Sequence, residues 1–110
     1  MKLQKILELP ECRTLAGGDP NRDLSRVFCC ALLSIAMSKA PAAGVWVTVM
    51  GNKNTLAVAS LTDTACIVLA EGVSLDDGTL AKAKDEGIAV LATDLPIFDI
   101  ALKIYQAGME

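Results

Sequence analysis

The 110-residue chain contains no histidine. A Ser-His-Asp triad, a Cys-His nucleophile pair and the imidazole ligands of most hydrolytic metal sites are thereby excluded. Aromatic residues amount to only 4% of the sequence, with Trp46 the one tryptophan, against 53% hydrophobic residues. The core must therefore be assembled from Leu, Ile, Val and Ala, whose small side chains let strands and helices approach closely. Runs of Lys or Arg are also missing, and the formal charge is −3. Since affinity for phosphate backbones rests on clustered cations, no nucleic-acid partner is expected. No segment approaches the roughly 18 apolar residues that a bilayer span requires, and Met1 to Leu9 lacks the apolar core of a signal peptide. The expectation is a soluble, cytoplasmic protein without a membrane partner. There is no Gly-x-x-x-x-Gly-Lys phosphate loop, and the Gly17-Gly18 pair is explained by a tight turn.

Length allows one domain, spanning residues 1–110. The apolar fraction is high for so small a body, whose surface-to-volume ratio demands polar cover. Part of the apolar surface is therefore expected to meet a second subunit, most simply in a homodimer. Cys12, Cys29, Cys30 and Cys66 fit neither a zinc site nor a Cys-x-x-Cys redox pair, and read as buried, reduced thiols serving as small hydrophobes. Cys29 and Cys30 are adjacent, so on a strand they face opposite sides of a sheet and only one can line a site.

The organisation lies in the beat of the chain. Leu3, Ile6 and Leu7 share one face of a short opening helix that Pro10 ends. Cys12 to Leu15 reads as a strand, Ala16 to Arg22 as the clearest loop, Val27 to Ala31 as a second strand, and Leu32 to about Lys39 as a helix closed by Pro41 and Gly44. From Val45 the pattern becomes regular. Val45 to Met50 is a strand, and Asn54 caps a helix with Leu56, Ala59 and Leu61 inward. Cys66 to Leu69 is a buried strand before Gly72. Ser74 and Asp77 then open a helix over Leu75 to Glu86 that Gly87 stops. Ile88 to Ala92 is the last strand, and Asp94 caps a helix with Pro96 in its first turn and Ile97, Ile100, Ala101 and Ile104 on its inner stripe. Apolar strands alternating with helices predict an α/β three-layer sandwich with a mainly parallel sheet, its last three strands and two helices forming a doubly wound half-sheet.

Open α/β sheets bind ligands outside the carboxyl ends of their strands. The residues placed there are Cys30, Thr48, Gly51, Asn52, Asn54, Gly72, Thr93 and Asp94. Thr48, Asn52 and Asn54 have hydrogen-bonding side chains, and the helices starting near Thr55 and Leu95 point their N-termini at the same surface, where an anion is favoured. Turn formation and capping compete for both asparagines. Asp76, Asp77, Asp85 and Glu86 read as solvated charges on an exposed helix face. No metal ligands, cofactor site or catalytic set is found. A phosphoacceptor receiver domain is excluded, because Leu15 and Met50 stand near the places where it needs acids. A ribosomal RNA-binding domain has a similar passage around Ile67 to Leu91 but is opposed by the acidic balance.

The string from Val45 to Tyr105, with Trp46 to Thr48, Asn54, Gly72 and Thr93 at its pattern positions, resembles the DRTGG domain family. Thr14 to Gly18 and Leu32 to Met37 resemble its small free-standing members, some encoded beside iron-only hydrogenase components. Where the eponymous Asp-Arg-x-x-Thr-Gly-Gly run would fall, the chain reads Asn21, Arg22, Asp23, Leu24, Ser25, Arg26 and Val27, keeping only Arg22. A following Ser-Asp pair is replaced by Cys30 and Ala31, which removes a carboxylate from the mouth of the sheet. The resemblance implies a regulatory or connecting module of the kind found in CBS-containing pyrophosphatases and some phosphotransacetylases, with a similar fold opening the HPr kinases and with catalysis residing elsewhere. Two readings follow: a non-enzymatic, homodimeric regulatory or interaction module that holds a protein partner or a small ligand such as a nucleotide, and a small-molecule (nucleotide or phosphate-ester) enzyme using the same cleft with Lys53 as its cation.

Overall fold

A computed structural model describes residues 1–109. The elements run α1 (Leu3–Leu7), β1 (Arg13–Ala16), β2 (Val27–Cys29), α2 (Leu33–Lys39), β3 (Val45–Thr48), α3 (Lys53–Leu61), β4 (Cys66–Leu69), α4 (Asp77–Glu86), β5 (Ala89–Ala92) and α5 (Ile97–Gln106). They form one five-stranded sheet in the order β1-β5-β4-β3-β2. Strands β2 to β5 are parallel, and β1 pairs antiparallel with β5. The three-layer, mainly parallel sandwich expected from the sequence is present.

Every residue of β3, β4 and β5 is buried. This is why those segments read as unbroken apolar runs: a parallel strand covered on both faces has no solvent side on which polar residues would alternate. Successive side chains divide between two core layers. Val45, Val47, Cys66, Val68, Ala89 and Leu91 meet Leu3 and Ile6 of α1 and Ile100 and Ile104 of α5. Trp46, Ile67, Leu69 and Val90 meet Ala36 of α2, Leu56 and Ala59 of α3, and Ala83 of α4. The Trp46 indole Nε1 donates to the Cys30 carbonyl at 2.9 Å, which satisfies its polar edge and ties the end of β2 to β3.

The doubly wound half-sheet is corrected by this topology. Strand order advances in one direction from β2 to β5, and a right-handed crossover then puts every connecting helix on the same face. Helices α2, α3 and α4 share that face, and the chain changes sides only after β5. Several boundaries also move. The second strand ends at Cys29 and the third at Thr48. Leu61 is not inward but 73% exposed, because it is the last residue of α3 and lies beyond the packed stripe. Cys29 is exposed and Cys12 and Cys30 are half-buried, so only Cys66 is the fully buried thiol that was expected of all four. Burial pushes the Cys12 thiol up to about 11.

Arg22, the surviving residue of the eponymous run, donates from Nη2 to both the Asp63 carbonyl (3.0 Å) and the Asp63 carboxylate (2.8 Å). Ala43 N–H donates to the same carbonyl at 2.8 Å. This clamp closes the amino edge of the sheet, so Arg22 has a structural role far from the strands' carboxyl ends.

Gly87 sits at φ +68, and an added Cβ there would meet no atom within 4 Å. The cost of a side chain is therefore conformational alone. Gly87→Ala should lower stability by about 1 kcal/mol, read from urea unfolding followed by Trp46 fluorescence.

Candidate functional site

The carboxyl edge of the sheet is a row of turns in the spatial order of the strands. Beyond β5, Thr93 is fully buried and its Oγ1 accepts from Leu95 N–H at 3.2 Å. Beyond β4, Glu71 and Gly72 both adopt positive φ, 62 and 75. Their N–H groups donate to the Leu95 and Thr93 carbonyls at 2.9 and 3.0 Å, and Ile97 N–H donates to Glu71 Oε2 at 3.4 Å. The chain leaves β4 toward one face and β5 toward the other, which is the switch point where a crevice would open. Here the two loops bond to one another and fill it.

The expected helix caps shift accordingly. Asp94 does not cap α5: its N-cap is Pro96, which makes no side-chain bond to the helix, and the side chain that reaches the first turn is that of Glu71, through Ile97 N–H. The Asp94 side chain is exposed and stands 3.8 Å from Arg13. Asp94 and Arg13 border a shallow depression of about 250 Å³ with Pro10, Glu11 and Leu95, at whose floor Thr93 stands without exposing surface.

Beyond β3, Thr48 is fully buried, and its Oγ1 accepts from Met50 N–H at 3.3 Å. Its hydroxyl oxygen holds the turn, as that of Thr93 does beyond β5. Gly51 packs so closely under the next loop that a Cβ would stand 2.8 Å from the Ser74 carbonyl oxygen. The cap of α3 is Asn52, not Asn54: Asn52 Oδ1 accepts from Asn54 and Thr55 N–H at 3.0 and 3.1 Å. Thr55, buried in the first turn behind it, has an Oγ1 without a hydrogen-bond partner. The cap of α4 is Asp76, whose Oδ1 accepts from Thr79 N–H at 2.7 Å. Ser74 and Asp77 form no capping box, because the chain stays extended to Asp76, at ψ 162, before turning into the helix. The Thr79 backbone N–H, then its hydroxyl, hold the Asp76 carboxyl below its ordinary value, with Lys53 adding a smaller attraction.

Because Gly51 seats its turn against the 73–75 loop, the starts of α3 and α4 converge. Between them lies a cleft of about 420 Å³, lined by Asn52, Lys53, Asp76, Gly78, Thr79 and Lys82. Two ammonium groups and two capped helix N-termini, each terminus carrying roughly half a positive charge, meet the Asp76 carboxylate there, and Lys82 Nζ also stands 3.7 Å from Glu86 Oε1 one turn further along α4. Of the residues expected at the edge, Asn52 lines the cleft, Gly51 seats the turn that forms it, and Asn54 lies exposed one residue past Lys53. Gly72, Thr93 and Asp94 form the neighbouring closed turn. Cys30 is separated from them at the far end of the row, with its Sγ 3.2 Å from the Leu32 carbonyl. The α4 half of the cleft lies outside the residues expected at the edge, because Asp76 reads in the sequence as a solvated charge. The signal available was Asp76-Asp77-Gly78-Thr79, an acid three residues before a threonine at a helix start.

Among the described residues, no three His, Cys, Asp or Glu side chains cluster as metal ligands do, and no helix is long and apolar enough to cross a membrane. A parallel sheet wound on one face by three helices, closed on the other by α5 and α1 and edged by an antiparallel first strand, is an α/β fold of the DRTGG-like kind. No known family matches when the sequence is scanned, and no curated protein does. Among solved structures, the chain is similar to the CBS and DRTGG domains of the regulatory region of Clostridium perfringens pyrophosphatase, crystallised with the activator diadenosine tetraphosphate. The TM-score is 0.75 at 14% identity, covering 96% of this chain and 46% of that one. The chain thus spans less than half of its neighbour's length, and what the two share is the fold.

Replacing Asn52 with Ala removes a cap that holds two amides and should cost about 1 kcal/mol, measured by urea denaturation. For Asp76 the sign follows from its lowered carboxyl. Its stabilisation is present above the unfolded value near pH 4 and is lost as pH falls through the folded one. Asp23, lowered by Lys2 through a 2.6 Å pair, contributes in the same direction. An Asp76→Asn variant, which retains the capping oxygen, should therefore show a shallower but not flat fall of melting temperature below about pH 4.

Proposed function

We propose that this chain is a non-enzymatic, cytoplasmic regulatory module, working as a homodimer, that senses a small anionic ligand such as a nucleotide in the cleft between the starts of α3 and α4. The observation that carries the reading is the convergence of Lys53 and Lys82 with two helix N-termini on one cleft of about 420 Å³. Phosphate oxygens are the groups that such an arrangement of cations and amide dipoles favours. The cleft is open, and a ligand's remaining contacts come from Asn52 and Thr79. Catalysis has little support there: Asp76, the one carboxylate in the lining, is engaged in capping α4, and no imidazole exists in the chain to activate a nucleophile. The regulatory reading agrees with the role named for the structural neighbour, whose regulatory region was crystallised with a dinucleoside polyphosphate.

A thermal-shift screen of adenine and guanine nucleotides, diadenosine tetraphosphate and inorganic phosphates tests this. A ligand at 100 times its dissociation constant adds about 2.7 kcal/mol of stability. The expected result is a dose-dependent rise with at least one nucleotide that disappears in Lys53→Ala and Lys82→Ala. No rise across the panel would overturn the ligand site, and steady turnover of a nucleotide would establish the enzyme reading instead.

A further inference from the structure

Apolar side chains escape the core mostly at one end of this molecule. Among the described residues seven large hydrophobics are exposed, and six of them lie on or at the start of the two helices that flank the edge strand β2: Leu32, Ile35 and Met37 at α2, and Phe98, Leu102 and Tyr105 on α5. Helix α5 packs across β2 and β3 on one face of the sheet, while α2 follows β2 directly onto the other. Between α5 and the strand runs an open groove of about 340 Å³ lined by Val27, Cys29, Phe98, Ala101, Leu102 and Tyr105, none of them charged.

We infer that this end is the subunit interface, and that its occupant is a second copy of the chain, β2 pairing edge to edge with the partner's β2 and α5 packing against its counterpart. The inference rests on the dimeric state proposed above and names the surface that makes it. Three observations favour a second copy. First, β2 has a pairing partner on one side only, so its outer edge offers unpaired backbone groups to another strand. Second, no Asp or Glu occurs between Asp23 and Asp63, so two copies of charge −3 can meet through β2 and α2 without bringing acids together. Third, a protruding aromatic, Phe98 at 70% exposure, stands beside a groove in the same patch. A two-fold interface needs both complements on one surface, and this patch has them. A stable interface takes roughly 800 Å² from each partner, about one-seventh of the 5515 Å² this chain exposes, and one end of a body measuring 32 × 27 × 26 Å offers a face of that order.

Sedimentation equilibrium of the full chain over a wide concentration range tests the inference. The expected mass is twice 11.5 kDa, with Phe98→Glu and Tyr105→Glu each weakening association at least roughly tenfold, as loss of a central aromatic contact does. Leu61→Glu, which alters the one large exposed hydrophobic outside the patch, should leave the dimer intact. All three side chains are exposed, and Trp46 fluorescence checks that each variant is folded. A dimer that resists both α5 variants, or yields to Leu61→Glu, overturns the interface while leaving the dimer standing. A monomer at every concentration overturns both.

Discussion

Parallel pairing of β3, β4 and β5 under two complete layers of side chains is the constraint on which the rest of this molecule depends. A parallel ladder has no tight-turn solution, so each pair of strands must be joined by a crossover, and each crossover must be right-handed to pack back on a right-twisted sheet. With the strands taken in the order β2, β3, β4, β5, that rule lays α2, α3 and α4 side by side on one face. It leaves the other face to α5 and to the short α1, whose Leu3 and Ile6 are fully buried there. Small residues help fill the layers: Ala36, Ala59, Ala83 and Ala89 are all buried in them.

The same constraint makes the site. Helices running side by side on one face start side by side at the carboxyl edge, so the N-termini of α3 and α4 are brought together without any residue having been chosen for a ligand. What turns this geometry into a cleft is local. Gly51 lets its turn slide under the Ser74 carbonyl, Asn52 and Asp76 cap the two helices with short side chains, and Lys53 and Lys82 flank the opening. Next to it, the switch point between β4 and β5 is occupied by the left-handed Glu71-Gly72 turn bonded to Thr93 and Leu95. The molecule thus closes the crevice where α/β sheets ordinarily bind and opens one a strand further along.

Within the sequence, the elements with strong periodicity were legible. The three buried strands, the α5 stripe of Ile100 and Ile104 and the stop at Gly87 are where the pattern puts them, because burial on both faces or on one helical stripe leaves a plain apolar signature. The caps were less legible, since Asn52 competes with Asn54, and Asp76 with Ser74, as equally good capping residues two positions apart. Which of them caps is decided by where the chain leaves the extended conformation, and that depends on the packing of the turn. The short strands β1 and β2 were found, but not their placement at opposite edges or the antiparallel direction of β1.

Sequence alone therefore determined the class of fold, the order of its elements, the core residues and the absence of imidazole chemistry, all of which follow from residue type and spacing along one chain. Tertiary structure decided which strands are neighbours, which helices share a face, and hence that Lys53 and Lys82, 29 positions apart by their numbering, line one cleft. It also decided that Arg22 and Asp63 close the opposite edge, and that the exposed side chains of α2 and α5 frame the unpaired side of β2. The physical reason is that strand pairing and helix packing are long-range choices. Local periodicity records whether a residue is buried, but only the assembled sheet sets what it is buried against.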